Sequence, residues 1–304
     1  MSLIFIGTVA LDSLETPFGK ADRVAGGSAL YGSLAASYFT DQVKLVAVIG
    51  GDFPEKEIDV FKKHHIGIEG MQIKEDEKSF FWAGRYHANM NSRDTLVTDL
   101  NVLAQFDPVI PDSYQDCEYL MLGNLTPEIQ KKVIKRLHKR PKLIVLDTMN
   151  YWMDSSWYAL LDVLKLVDVL TINEEEARQL SGEYSLAKAA KKILTMGPHY
   201  LIIKKGEHGA LLFSKDEVFF APGLPLEEVI DPTGAGDTFA GGFIGYLAKS
   251  GDLNFDTFKK AIIHGSAMAS FCVEKFGPEA LQFLSQEQIQ ARVKEFVKLT
   301  TFGA

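Results

Sequence analysis

The sequence is poor in the residues that build disulfide frameworks, metal cages and membrane spans. Its two cysteines, Cys117 and Cys272, lie far apart and form no CxxC pair, so neither a disulfide framework nor a cysteine-based zinc site is expected. The seven histidines show no HExxH spacing. No run approaches the roughly 18 consecutive apolar residues of a membrane-spanning helix. Asp12 ends the apolar run 3–11, which no Lys or Arg precedes. We therefore expect a cytoplasmic protein with no membrane partner.

The chain also lacks the basic excess of a nucleic-acid-binding protein. It has 32 Lys and Arg against 40 Asp and Glu, a net charge of −8, so a polyphosphate backbone would be repelled on average. The content of 46% hydrophobic and 24% charged residues is ordinary for a globular chain. We expect a small-molecule partner and no nucleic acid.

Short apolar runs alternate with amphipathic segments along most of the chain. The runs are continuous, which is typical of strands covered on both faces of a parallel sheet. Strands are predicted at 3–9, 44–50, 118–123, 142–147, 167–172 and 200–204, with an edge hairpin at 209–214 and 217–221. Helices are predicted at 28–39, 55–64, 127–138, 155–164, 174–181, 185–195, 235–250, 255–275 and 285–298. Strand followed by helix, repeated, predicts an α/β fold. We expect a doubly wound, mostly parallel sheet flanked by helices in a single domain, 1–304.

One region breaks this alternation. Residues 71–108 are rich in strand-forming aromatic residues and carry no clear 3.6-residue period. They are predicted to form a small β lid over the strand ends, to which residues of about 12–25 add a short piece.

The most informative stretch is the string DPTGAGDTFAGG at 231–242. Gly234, Ala235 and Gly236 come just before a helix-compatible run, and the free N–H groups and dipole of a helix N-terminus favour an anion. Small residues let that anion approach closely. Asp237, in the first turn, is placed to accept the proton of an incoming hydroxyl. A plain helix cap is the competing interpretation, but a cap needs neither the Gly-Ala-Gly run nor the preceding Asp-Pro-Thr.

Other nucleotide-binding motifs are matched neither by this string nor by the rest of the chain. A dinucleotide-binding GxGxxG would need glycine where Phe239 stands, and the Gly19-Lys20 pair lacks the rest of a Walker loop. The HRD and DFG signatures of protein kinases are absent.

The string at 231–242 closely resembles the C-terminal signature of the ribokinase-like (pfkB-type) carbohydrate kinases, and the resemblance covers nearly the whole chain. It implies an ATP-dependent kinase that uses Mg²⁺, with Asp237 as catalytic base and the amides of 234–236 as anion hole. Further motifs of the family match other residues. The implied substrate contacts are Asp12, Gly26 and Gly27. The implied nucleotide contacts are Asn173, Glu176, Lys204, Gly206 and Gly209, with Glu176 also organising Mg²⁺ indirectly. Asp231 and Thr233 resemble positions near a monovalent-cation site, which implies K⁺.

Each of these assignments has a plainer alternative. Asp12 could end a strand, and Gly26-Gly27 could form a turn before a helix. Glu174, Glu175 and Glu176 could be acidic residues that favour a helix start. Lys204 could be a surface lysine at a strand end. Asp231 and Thr233 could simply shape their loop.

The sequence leaves the substrate open. Tyr31 stands where ribokinases carry an asparagine four residues after the glycine pair, and only 13 residues separate Asp12 from Gly26, which shortens the first lid hairpin. The lid aromatic residues Phe80, Phe81, Trp82 and Tyr86 either stack on a nucleobase or pack the small sheet. Arg93 either reaches an anionic substrate group or is exposed.

We therefore rank a hydroxymethyl group of a sugar or sugar derivative first as acceptor and a nucleoside second. A catalytically silent sugar- or nucleotide-binding protein comes third. The resemblance also implies a homodimer through paired lid sheets, which the shortened hairpin weakens.

Overall fold

A computed structural model describes residues 1–301; residues 302–304 of the predicted domain lie outside the described residues. The strands are β1 (Leu3–Ile6), β2 (Ala10–Thr16), β3 (Gly19–Gly26), β4 (Val43–Gly50), β5 (Gly67–Lys74), β6 (Phe80–Tyr86), β7 (Arg93–Asp99), β8 (Tyr119–Leu122), β9 (Leu143–Asp147), β10 (Val169–Asn173), β11 (Tyr200–Lys204), β12 (Ala210–Phe213) and β13 (Val218–Ala221). The α-helices are α1 (Ser28–Ser37), α2 (Glu55–Lys63), α3 (Pro127–Arg136), α4 (Asn150–Ser155), α5 (Trp157–Leu164), α6 (Glu174–Ser181), α7 (Leu186–Leu194), α8 (Ala235–Ser250), α9 (Phe255–Cys272) and α10 (Gln286–Thr300).

Nine strands form one large sheet in the order β13-β12-β11-β10-β9-β8-β1-β4-β5. The strands from β11 to β5 in this order are all parallel, and β12 and β13 close one edge as the predicted antiparallel hairpin. The predicted α/β fold with a doubly wound, mostly parallel sheet is confirmed.

Both faces of the large sheet are covered by helices. In β1, Leu3 and Phe5 belong to a core with residues of α1, α8 and α9, whereas Ile4 and Ile6 belong to a second core with residues of α3, α5 and α7. Successive strand residues point to opposite faces, so a continuous apolar run serves both cores. This is why the buried strands could be recognised from the sequence.

α8 packs closely against α1. A Cβ at Gly241 would lie 2.1 Å from the carbonyl oxygen of Gly32, and a Cβ at Gly245 would lie 2.8 Å from the Cα of Ala36. Only glycine lets the two backbones approach this closely. α8 is therefore held in close contact with α1.

A second, separate sheet has the order β3-β2-β6-β7, with β2 and β6 parallel and the two hairpins antiparallel. It occupies the place predicted for the β lid, although the lid boundaries of about 12–25 and 71–108 differ in detail. Residues 71–74 belong to β5 of the large sheet. The first strand ends at Ile6, whereas Asp12 lies within β2, so the interpretation in which Asp12 ends a strand is wrong.

The sequence did not reveal β5 and α4. β5 is an edge strand with exposed polar positions, so it lacks the continuous apolar run of its neighbours. α4 has only six residues, too few for a clear period. Within residues 1–301, no helix combines the length and the apolar character needed to cross a bilayer.

Candidate active site

Three polar residues end adjacent strands at the carboxyl edge of the large sheet. Asp147, Asn173 and Lys204 are the last residues of the adjacent strands β9, β10 and β11. Carboxyl ends of parallel strands share one edge, which is where open α/β sheets bind ligands. The N-terminus of α8 contributes to the same edge.

The predicted anion hole lies at the N-terminus of α8. Gly234 has a left-handed φ of 75°, and a Cβ there would lie 2.4 Å from the buried ring of Tyr31, so the turn requires glycine. The N–H of Ala235 donates to the carbonyl of Pro232 at 3.2 Å, whereas those of Gly236 and Asp237 have no acceptor within residues 1–301. Of the predicted set 234–236, only the N–H of Ala235 is engaged. Those of Gly234 and Gly236 are free within residues 1–301, as is that of Asp237.

Asp237 lies in the first turn of α8, half-buried beside these donors. Burial and the nearby carboxylate of Asp147 raise its pKa to about 7, against the opposing charges of Lys204 and Arg93. A carboxylate with this pKa can hold a proton taken from an alcohol near neutral pH.

Lys204 is not a surface lysine. Its Nζ lies 3.1 Å and 3.3 Å from the two carboxylate oxygens of Asp147, and the two side chains are only 18% and 8% exposed. Burial lowers the pKa of Lys204, but the carboxylates of Asp147, Glu176 and Asp237 outweigh it and the pKa is raised. The ammonium therefore stays charged.

Asp147 was missed from the sequence. The available signal was its position at the end of the buried run 142–147, beside the strand end that carries Asn173. A carboxylate that closes a buried parallel strand lies at the ligand edge of the sheet, whatever motif surrounds it.

Asn173 and Glu176 form a capping box at the start of α6. The side chain of Asn173 accepts from the Glu176 N–H at 2.8 Å, and Oε2 of Glu176 accepts from the Asn173 N–H at 2.7 Å. Oε1 of Glu176 accepts no hydrogen bond within residues 1–301. Burial raises the pKa of Glu176 to about 7, with Lys204 opposing and Asp147 adding to the rise. The capping role is therefore present, and one oxygen remains for a ligand.

The charges of the site extend from Asp237 at the sheet edge to Asp12 and Arg93 in the lid, and the space between them is called the cleft. On its lid side, Asp12 is 5% exposed and forms no hydrogen bond with the described residues. Burial and the charges of Asp231 and Asp237 raise its pKa to about 8, while Arg93 lowers it. A Cβ at Gly26 would lie 2.0 Å from Oδ2 of Asp12, and a Cβ at Gly27, whose φ is 95°, would lie 2.4 Å from the Thr8 carbonyl. The glycine pair thus makes room for an unpartnered carboxylate.

Asp231 and Thr233 shape the loop before α8. The two carboxylate oxygens of Asp231 accept from the N–H groups of Thr233 at 2.9 Å and Gly277 at 3.0 Å. The hydroxyl of Thr233 bonds to that of Tyr86 in the lid at 3.1 Å. The loop-shaping interpretation fits these contacts, and the K⁺ site stays a prediction.

The cleft face of the lid carries an aromatic and cationic cluster. Trp82 lies directly opposite Asp12 on the neighbouring strand, so the two side chains share a face. The six-membered ring of Trp82 fills the space above Gly84, where a Cβ would lie 2.1 Å from Cη2. The guanidinium of Arg93 lies 5.5 Å from the Trp82 ring and 6.0 Å from the Tyr86 ring. Arg93 is exposed, but it faces the site.

Gly206 and Gly209, predicted on the nucleotide side, lie in the turn after β11 with φ values of 54° and 87°. A Cβ at Gly206 would lie 2.8 Å from the side-chain oxygen of Asn91, which belongs to the lid loop between β6 and β7. Asn91 also donates to Glu207 at 3.4 Å. The lid therefore reaches across to the turn where ATP is predicted to bind.

Comparison with known proteins gives these features a common explanation. Residues 11–282 match the family model described as pfkB family carbohydrate kinase. A cytidine kinase of Thermococcus kodakarensis is 31% identical over 248 residues, which cover 80% of this chain and 87% of that protein. A ribokinase of Haemophilus influenzae is 27% identical over 305 residues, covering 91% and 90% of the two chains. The crystal structure of the Methanocaldococcus jannaschii nucleoside kinase, a member of the ribokinase family, has the same fold. Its TM-score is 0.76 at 21% identity, with 97% of this chain and 99% of that chain covered.

The fold and the strand-end site define a phosphotransferase of the ribokinase type. The chain belongs to the pfkB family of carbohydrate kinases, and it is an ATP-dependent kinase of sugars or nucleosides.

Proposed function

We propose that this kinase transfers the γ-phosphoryl group of ATP to the 5′-hydroxymethyl group of a nucleoside. The observation that carries this choice is the Trp82 ring, held above Gly84 on the cleft face of the lid and directly opposite Asp12. A planar base stacks well on such a ring, whereas a free sugar has no planar group to offer. This reverses the order that the sequence alone favoured, in which a sugar came first.

The proposed chemistry is an in-line displacement. The 5′-oxygen attacks the γ-phosphorus as its proton passes to Asp237, and the bond from the γ-phosphorus to the bridging oxygen breaks to release ADP. The free N–H groups of Gly236 and Asp237 and the ammonium of Lys204 face the developing negative charge. Asp12, with the backbone of Gly26 and Gly27, orients the hydroxyl groups of the ribose.

The residues present suit Mg·ATP. Residues 1–301 hold no cluster of three or more acidic, histidine or cysteine side chains that could cage a metal. The proposal has Mg²⁺ held mainly by the ATP phosphates and water, with the free oxygen of Glu176 reaching it indirectly. Bound Mg²⁺ supplies charge neutralisation of the phosphates. In this proposal, Gly206 and Gly209 border the adenosine part of bound ATP. The proposal also includes activation by K⁺ near Asp231 and Thr233.

The test measures ADP release with Mg·ATP across nucleosides, ribose, other sugars and sugar acids, using wild type and Trp82→Ala. We expect turnover with nucleosides, and in Trp82→Ala a KM for the nucleoside raised by 5- to 150-fold, on the order of the 1–3 kcal/mol of one base stack. Any residual turnover with ribose should be unaffected by the substitution.

Phe220→Ala is the matched control, because Phe220 is a 51% exposed aromatic residue in the edge strand β13, in the large sheet. It should leave every KM unchanged. Turnover with one sugar and none with nucleosides would restore the sugar-kinase assignment and leave Trp82 a packing residue. Binding of ATP without turnover on any acceptor would favour the silent binding protein.

The proposal includes a homodimer formed through the lid. β7 is an edge strand that pairs with β6 on one side only among residues 1–301, and its residues are all exposed, with Leu96 at 51% and Val97 at 39%. Unpaired edges with apolar side chains favour strand pairing. Sedimentation should show a dimer that Val97→Lys dissociates, and a wild-type monomer would remove this part.

A further inference from the structure

The ion pair between Lys204 and Asp147 crosses the end of an intervening strand. β10 lies between β9 and β11, and Lys204 is in register with Asn173 while Asp147 is in register with Thr171. The lysine side chain must therefore pass over β10 to reach the carboxylate. The side chain of a lysine at a strand end can usually extend into solvent, so the burial of Lys204 requires a physical reason.

The same ammonium lies against the loop at the start of α8. A Cβ at Gly236 would lie 3.0 Å from Nζ of Lys204, 3.7 Å from Cε and 3.8 Å from Cδ. The side chain thus runs along Gly236, one of the residues with a free N–H at the predicted phosphoryl site. An ammonium has three N–H donors. The two oxygens of Asp147 occupy at most two of them, which leaves one for a phosphate oxygen.

Stability alone does not account for this pair. Desolvation of two buried charges roughly cancels their attraction, so a buried ion pair contributes little to folding compared with apolar residues. Asp147 also accepts from the N–H of Thr148 at 2.9 Å, which fixes its orientation. The pair is therefore oriented by the backbone, and the ammonium keeps a donor for a ligand.

We propose that Asp147 is a positioning residue for phosphoryl transfer, which holds the ammonium of Lys204 against Gly236 so that it meets the transferring phosphoryl group. Because it concerns the same transfer, this role rests on the proposed function. Asp147 touches neither substrate nor phosphate and acts through Lys204.

The test is a double-mutant cycle with Asp147→Asn, Lys204→Met and the double variant, each measured for kcat and for both KM values at pH 8. We expect Lys204→Met to lower kcat by roughly 10²- to 10³-fold, the usual loss of one transition-state donor. Asp147→Asn should lower kcat by roughly 10²-fold, as expected for a misplaced group, with little change in the nucleoside KM. The double variant should be no worse than Lys204→Met, because Asp147 has no positioning role without the lysine, and its charge only raises the pKa of Asp237, so losing it does not remove the ionised base.

Asp168→Asn is the matched control for the loss of a buried carboxylate. The side chain of Asp168 is 14% exposed and pairs with Arg140 at 2.9 Å. It directly precedes β10 and so lies at the amino ends of the strands, away from the candidate site at their carboxyl ends. It should keep the wild-type kcat even where its melting temperature falls. Thermal unfolding of every variant separates loss of folded protein from loss of rate.

Wild-type kcat in Asp147→Asn would overturn the proposal, as would multiplicative losses in the double variant. So would losses that follow the unfolded fraction, as in a purely structural pair. If the wild type itself turned over no acceptor, the proposed function would fail instead, and the two failures are thus distinct.

Discussion

The pH dependence of the reaction tests the assignment of Asp237 as base. An ordinary aspartate, with a pKa of 3.8, would be ionised at every pH above 5, so the rate would not change there. Burial and the Asp147 carboxylate raise the pKa of Asp237 to about 7. With that value, roughly a tenth of the molecules carry the ionised base at pH 6 and about nine-tenths at pH 8.

The assay is the initial rate of ADP formation from pH 5 to 9, analysed as kcat/KM, which reports ionisations of the free enzyme. We expect a rise of about tenfold per pH unit that levels off above pH 7. The pKa values of Glu176, about 7, and Asp12, about 8, lie in the same window. The pH dependence of nucleoside and ATP binding, measured by calorimetry without turnover, separates their contribution.

Arg93→Gln sharpens this test because its guanidinium lowers the pKa of Asp237. Removing that charge should move the acid limb to higher pH. Arg85→Gln is the control: Arg85 lies in the same lid but pairs with Glu15 at 3.1 Å and should leave the limb in place. A wild-type profile that is flat from pH 5 to 8 would refute the raised pKa of the base.

Two further substitutions test the base and the glycine pair. Asp237→Asn should lower kcat by about 10²–10⁴-fold, the usual weight of a positioned base, and an unchanged kcat would remove the assignment. The folded protein binds the proton of Asp237 more tightly than the unfolded chain does. The free energy of unfolding therefore falls as pH rises from 3.8 to about 7. Asp237→Asn should therefore melt above wild type at pH 8 and close to it at pH 4, and a constant difference would contradict the raised pKa. Gly27→Ala should lose roughly 1–3 kcal/mol in urea unfolding, because the residue has a φ of 95° and no room for a Cβ; wild-type stability would show that the turn adapts.

The sequence determined the α/β architecture, because a strand whose two faces both pack in a hydrophobic core needs a continuous apolar run. It also determined the loop at 231–242, because a helix N-terminus built from small residues with an acid in its first turn is a local arrangement. Gly234 and Asp237 accordingly lie where the string alone put them. Local periodicity could not reveal β5, whose edge position leaves it half polar.

Only the tertiary structure brought together residues that are distant along the chain. Asp147 pairs with Lys204, 57 residues away, and no local pattern marks such a pair. Asp12 was expected at a strand end, but the crossing from β1 into the lid places it opposite Trp82. The raised pKa of Asp237 arises from burial and from charges on separate strands. Motifs encode local backbone geometry, whereas electrostatic environment and cross-cleft contacts depend on how the whole chain packs.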